Sequence, residues 1–455
     1  MTFRGALVLA LALSTSPARA APATKVPEIP FEKYALDNGL EVILHRDPAL
    51  PLVAVNLWYH VGPVNEPPKR SGFAHLFEHL MFTGSKHVGT GFDKLLESAG
   101  ATNVNGTTSW DRTNYFETVP REQLELCLWI ESDRMGFFLD TLSAGALEVQ
   151  RGVVKNERRQ SYEDAPYGKS SLELLDTLFP QGHPYHGAVI GSMSDLDAAR
   201  LSDAEAFFRT YYAPSNATLT LAGDFAPDTA KRWIARYFGP LPKRPRPTVK
   251  HPPTPALTSL VRKTVVEPVE LSKVSMGWLT PPAYSRETAA LELAAAVLAG
   301  GKATRLYRRL VVEKKLASEV EADLDPNSLA GIFSVSAVAA SGKPAKEVEA
   351  AIDAVLVELS AKGPTQAELD RARRRVLFGL MSQLQQLNGP DGESGRAGLL
   401  QRLNHYLGDP GHLRQWHASI EAVTRDDVRR VLAAQLDLTR RVIVTTLPEP
   451  KGKRP

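Results

Sequence analysis

The chain has 455 residues, of which 43% are hydrophobic and 23% charged, a globular composition in a chain too long for one compact core. A formal net charge of +3 is small for this length and argues against nucleic-acid binding. Cys127 is the single cysteine, which excludes an intramolecular disulfide.

In chain order, the first twenty residues read as a secretory signal. Arg4 stands in a short basic start, an apolar run covers Ala6 to Leu13, and Ala-Arg-Ala precedes Ala21. The run is too short for a stable bilayer span. Cleavage after Ala20 would remove Arg4 and Arg19, leaving a charge of about +1 and an exported chain, periplasmic or secreted, with no membrane span.

Beyond the signal the chain divides into two halves. The stretch GPLPKRPRPTVKHPPTPALTS, Gly239 to Ser259, is dense in proline and has no apolar period, so it reads as an extended linker. This places domains at 30–240 and 260–447, with the linker at 241–259. The halves share an order of elements, α+β in character. Each opens on strand-like runs: LEVILHRDP and VAVNLWYHVG in the first, LVRKTVVE and SKVSMGWLTPP in the second. Each continues with a helix ending near glycine, SGFAHLFEHLMFTGS or TAALELAAAVLAGGK, and later with amphipathic helices. Each closes on a helix followed by a strand. The matched order indicates an internal duplication, and two such halves can close around a cleft, a common place for sites.

The helix after Ser71 and Gly72 holds the chemistry. Phe73, Leu76, Phe77, Leu80 and Met81 make it apolar almost all round, yet it carries His75, Glu78 and His79. Residues four apart share a helix face, so the two imidazoles point the same way. Burying such groups without partners is costly, and one zinc ion held between the two rings would remove much of that cost. H-x-x-E-H is the inverted zinc-hydrolase motif, with Glu78 placed to accept a proton from water. The alternative is two core histidines beside an ion-paired glutamate.

A catalytic zinc needs a third protein ligand. ALEVQRGVVKNERRQSYED reads as a helix with Val153 and Val154 on its buried side. At about 100° per residue Glu157 lies between the directions of these valines, Glu148 points away, and Glu163 is about 120° off. Glu157 is therefore the candidate, with a cap or an ion pair to Arg151 or Arg158 as its other reading.

HLFEHLMFTGS, NVNGTTSWDRTNYF and RGVVKNERRQ, in this order, resemble the pitrilysin family of zinc peptidases. The resemblance covers nearly the whole chain after the signal. It implies two homologous α/β sandwich domains facing each other around a cleft, the second inactive. It implies zinc, one ion per chain, on His75, His79 and Glu157, with Glu78 as the base, in an endopeptidase acting on peptides. It also implies that Asn105, Gly106, Thr107 and Thr108 form an edge strand that holds peptide substrate. From the residues alone, Asn105-Gly106 could instead be a turn.

The second half departs from the family pattern. Single-chain members carry an Arg and a Tyr seven residues apart, and here the matching positions are Val311 and Ser318. Arg305, Tyr307, Arg308 and Arg309 could donate only in another register. The resemblance then implies the zinc-bearing chain of a two-chain enzyme, with a homologous partner supplying the Arg/Tyr pair. A scaffold or peptide-binding subunit is the alternative. His183 and His186, in a Gly/Pro loop, are either loop residues or a second metal site.

Overall fold

The computed structural model describes residues 26–450 apart from 249, 252 and 255. The expected signal, residues 1–20, lies outside the described residues. The first half contains β1 (Glu32–Ala35), β2 (Glu41–Arg46), β3 (Leu52–Tyr59), α1 (Phe73–Leu80), α2 (Phe92–Ser98), β4 (Thr102–Thr108) and β5 (Thr113–Pro120). It continues with α3 (Leu124–Phe137), α4 (Ala144–Arg158), α5 (Gly168–Leu178), α6 (Met193–Ala198), α7 (Leu201–Tyr211), β6 (Ala217–Gly223) and α8 (Pro227–Phe238). The second half contains β7 (Val261–Glu267), β8 (Lys273–Thr280), α9 (Thr288–Leu298), β9 (Ala317–Asp325), β10 (Gly331–Ala339) and α10 (Ala345–Lys362). It closes with α11 (Gln366–Gln383), α12 (Gly395–Leu407), α13 (Leu413–Ala422), α14 (Arg425–Gln435) and β11 (Val442–Pro448). Between α8 and β7 the described residues form neither helix nor strand.

The fold is α+β, with the sheet order β1-β2-β6-β3-β5-β4 in the first half and β7-β11-β8-β10-β9 in the second. Laying β2 on β7, β6 on β11, β3 on β8, β5 on β10 and β4 on β9 makes the two orders coincide. The parallel pairs also match, β2 with β6 and β7 with β11. The repeated order of elements in the sequence is thus a repeated topology.

β3 is buried on both faces, and its side chains alternate between two environments. Val53, Val55, Leu57 and Tyr59 join Phe73, Phe77 and Leu80 in the first core. On the opposite face, Ala54 packs with Ala222 and with Ala397 of α12. Gln401 of α12 donates to the carbonyls of Asn56 and Thr218 at 2.8 and 2.7 Å. Conversely, α5 of the first half lies on the second sheet. Gly277 makes room for it, since a Cβ there would stand 2.9 Å from Leu178 Cδ1. Each half therefore covers one face of its sheet with a helix from the other. Division of the chain at the linker does not foresee this exchange, because an amphipathic pattern fixes a buried face but not the sheet that buries it.

Candidate metal centre

α1 is fixed at its amino-terminal end. Gly72, before its first residue, has φ 81°, and a Cβ there would meet the Ile190 carbonyl oxygen at 2.3 Å. The Glu66 carboxylate accepts from the Gly72 and Ala74 amides at 3.1 and 2.7 Å, satisfying donors that the first helical turn leaves free. Burial pushes Glu66 up to about 8. Sequence reading missed Glu66 because it caps across a Pro-Pro turn rather than at capping-box spacing.

The i, i+4 spacing brings the His75 and His79 rings to 4.8 Å between centroids, nearly perpendicular at 86°. α4 packs beside α1 and carries Glu157 in its last turn. Glu157 Oε2 stands 3.8 Å from His75 Nε2 and 3.3 Å from His79 Nε2. Tetrahedral zinc with bonds near 2.0–2.1 Å separates its ligand atoms by about 3.3 Å, so these atoms fit one ion. Glu78 also offers a carboxylate oxygen within 4.8 Å of the imidazole nitrogens. Its Oε2, however, is taken by the Thr108 hydroxyl at 2.6 Å. Among the described residues, clusters with ligand spacing occur only around His75 and His79, so His183 and His186 belong to no second cluster of this kind.

Val154 is fully buried but Val153 is 42% exposed, so the buried face of α4 is narrower than the periodicity suggested. Glu157 follows Val154 by three residues on the rim of that face, reaching the imidazoles while remaining open to solvent.

The environment separates the ionisable groups. Burial, helped by His79, lowers His75 to about 4, leaving a neutral ring with a free lone pair at neutral pH. Its Nδ1 is buried with no hydrogen-bond partner. The hydrogen bond with His79 keeps the Glu157 carboxyl below its usual range. Burial raises Glu78, against the opposing effects of Thr108 and His79. Two neutral-capable imidazoles, an ionised carboxylate and a neighbouring desolvated carboxyl suit a divalent cation beside a general base.

β4 is the edge of the first sheet, paired on one side only, with β5. Asn105 and Gly106 lie within the strand, opposite Phe116 and Tyr115, and the hairpin turns farther on, between Ser109 and Arg112. Alternation splits the four expected residues between two faces. Gly106 and Thr108 face Glu78: a Cβ on Gly106 would lie 3.1 Å from Glu78 Cγ. Thr107 points the other way, its hydroxyl bonded to Asn114 Oδ1 at 2.6 Å and to the Asp391 carbonyl at 3.1 Å. The Gly106 amide donates to the Asn105 side chain at 2.9 Å rather than across the ladder to β5.

The second half offers no equivalent donors at the matched positions. Val311 packs against the second core, and Ser318 Oγ makes one long contact, 3.4 Å, to the Val338 carbonyl. Arg305 is held by Glu368 through two 2.8 Å hydrogen bonds, and Arg309 lies against Glu313 and Glu358.

Residues 41–191 match the family described as Insulinase (Peptidase family M16), and residues 199–376 match the Peptidase M16 inactive domain. The zinc protease PqqE of Helicobacter pylori is 31% identical over 353 residues, covering 75% of this chain and 77% of that protein. A crystal structure of a protease from Helicobacter pylori superposes with a TM-score of 0.85 at 27% identity, covering 93% of this chain and all of the other. The periplasmic protease PqqL from Escherichia coli shares the fold, with a TM-score of 0.73 at 20% identity, and this chain spans 48% of its length.

Proposed function

The chain belongs to the pitrilysin (M16) family of metallopeptidases, and on that premise we propose that it is a zinc-dependent endopeptidase of peptides or small unfolded polypeptides. The observation that carries this reading is the meeting of Glu157 with His75 and His79, 3.8 and 3.3 Å apart, beside the desolvated Glu78. His75, His79 and Glu157 would hold the zinc, which when bound supplies Lewis acidity that lowers the pKa of a coordinated water to about 7.

The chain's own residues do the rest. Substrate adds as a strand along the open edge of β4, where main-chain pairing positions it. Thr108 pins Glu78 Oε2 and leaves Oε1 free to accept a proton from water. Glu78 then returns that proton to the departing amine. Gly106 leaves the close approach over Glu78 uncrowded. The reaction takes place in the cleft between the two halves.

The valine and serine at 311 and 318 support a two-chain enzyme in which a homologous partner supplies the Arg/Tyr pair near the developing oxyanion. The amino-terminal signal supports action outside the cytoplasm, in the periplasm or beyond it. Among the described residues no helix is long and apolar enough to cross a membrane. A second reading, a peptide-binding subunit without catalysis, is favoured by the inactive-domain match over residues 199–376.

A peptide-cleavage assay on the zinc-loaded chain, alone and with a homologous chain carrying the Arg/Tyr pair, separates these readings. The two-chain enzyme cleaves only, or far faster, with the partner. Full activity from the single chain removes the partner, and no cleavage in either case leaves the binding subunit.

A further inference from the structure

α9 occupies in the second half the place of α1 in the first. Each packs against the edge strand of its sheet, β9 or β4, and against the corresponding helix, α11 or α4. In the first half this junction is filled by His75, Glu78 and His79. In the second it is a cavity of about 480 Å³, within the range of small-ligand pockets. The lining face of α9 carries Ala295 and Ala296 beside Glu292, with Ala299 just past its end, so small side chains leave open the room that imidazoles take in α1.

The walls are charged, with both signs present. Arg375 and Gln383 come from α11, Arg402 from α12, Asp323 from β9 and Glu292 from α9. Glu292 and Arg402 stand close enough to influence each other's ionisation, and Arg375 stands close enough to Asp323 to oppose the rise that burial gives its carboxyl. Yet neither couple closes into an ion pair among the described residues. Elsewhere the pairing is direct: Arg441 meets Asp353 at 2.6 and 2.7 Å, and Arg305 meets Glu368 at 2.8 Å. Arg402 Nε and Gln383 Oε1 are both buried without a partner. Both belong to side chains that line the cavity, and a buried donor and a buried acceptor without partners are groups that a ligand reaching them would satisfy.

We propose that this cavity binds a small zwitterion with a free α-ammonium and a free α-carboxylate, an amino acid or a short peptide. Arg402 and Arg375 take the carboxylate, Glu292 and Asp323 the ammonium, and Gln383 Oε1 an amide or ammonium N–H. These are the chemical features of the products that peptide hydrolysis releases. The binding site stands on the cavity, and only the origin of its ligand rests on the peptidase reading.

The test is calorimetric titration of the full chain, stripped of metal by chelation, with L-alanyl-L-alanine and, in a separate arm, L-alanine. Gly379 lines the cavity within α11, and a Cβ there would meet nothing within 4 Å. Gly379→Leu therefore fills the site without straining the fold. Saturable binding is expected for the wild type, weakened at least tenfold by Gly379→Leu and by Arg402→Met and unchanged by Glu157→Ala. Acetylating the amine or amidating the carboxylate of the dipeptide should abolish it. Binding of the dipeptide alone identifies a peptide site, and equal binding of alanine an amino-acid site. Absence of binding in both arms, full affinity in Gly379→Leu, or equal affinity for the blocked dipeptide would overturn the proposal.

Discussion

The Thr108 hydroxyl donates a 2.6 Å hydrogen bond to Glu78 Oε2, joining the open edge of the first sheet to the carboxylate beside the paired imidazoles. A hydrogen bond to a charged group contributes about 1.5–3 kcal/mol. Thr108→Val should therefore lower kcat by roughly ten- to a hundredfold with zinc content unchanged, and Thr108→Ser should restore most of it. Steady-state kinetics of the two variants checks this, and equal losses in both would assign Thr108 a packing role only.

Glu78→Gln keeps the shape of the side chain and removes the base. Zinc content should match the wild type while kcat falls by about 10²–10⁴-fold. Retained turnover would take the proton transfer away from Glu78.

Gly106 lies so close to Glu78 that any side chain intrudes: its Cβ would stand 3.0 Å from Phe82 Cε2 and 3.1 Å from Glu78 Cγ. Gly106→Val should displace the Glu78 carboxylate, and misplacement by about 1 Å can cost on the order of 100-fold in rate. Thermal melting should shift far less than activity. A variant with normal kcat and a normal melting temperature would show that close approach at this point is unimportant.

The sequence made α1 and its paired imidazoles legible because H-x-x-E-H and a 3.6-residue period act together over a few residues. Glu157 was harder, since it required the facing of a helix far along the chain, and the exposure of Val153 shows how loosely periodicity fixes that facing. The edge position of β4 followed from family resemblance rather than from its own residues, because an Asn-Gly pair is equally at home in a turn. Glu66 and the exchange of α5 and α12 between sheets left no local trace. Both depend on contacts between segments whose patterns carry no address for their partners.

Arg112 is almost fully buried and pairs with Glu393 of the other half, its Nε 2.8 Å from Glu393 Oε1, while its Nη1 donates to the Thr107 carbonyl at 2.7 Å. Removing one partner of a fully buried pair costs about 3–5 kcal/mol, and the partial exposure of Glu393 brings the loss below that. Glu393→Gln should lower the melting temperature and raise KM, because the same guanidinium braces β4. Unchanged denaturation and KM would show that the halves are held elsewhere.

Glu368 supplies a pH dependence. Burial opposes its ionisation, but hydrogen bonds from Arg305 and Thr365 prevail and hold it down to about 2, against 4.5 for an ordinary glutamate. The ionised form is favoured in the folded state, so its contribution is complete above about pH 4.5. It is lost as pH falls through about 2, and solvent screening of this partly exposed carboxylate keeps it below about 3 kcal/mol. The melting temperatures of wild type and Glu368→Gln should differ at neutral pH and converge on acidification. A difference at pH 2 as large as that at neutral pH would contradict this.

The most direct test is the zinc content of the purified chain, measured by plasma mass spectrometry after zinc loading and desalting, beside Glu157→Ala and His79→Ala. The wild type should hold close to one zinc per chain, and both variants should lose most of it while remaining folded by circular dichroism. A wild type that holds no zinc, or a Glu157→Ala chain that holds it as tightly as the wild type, would contradict the metal centre described here.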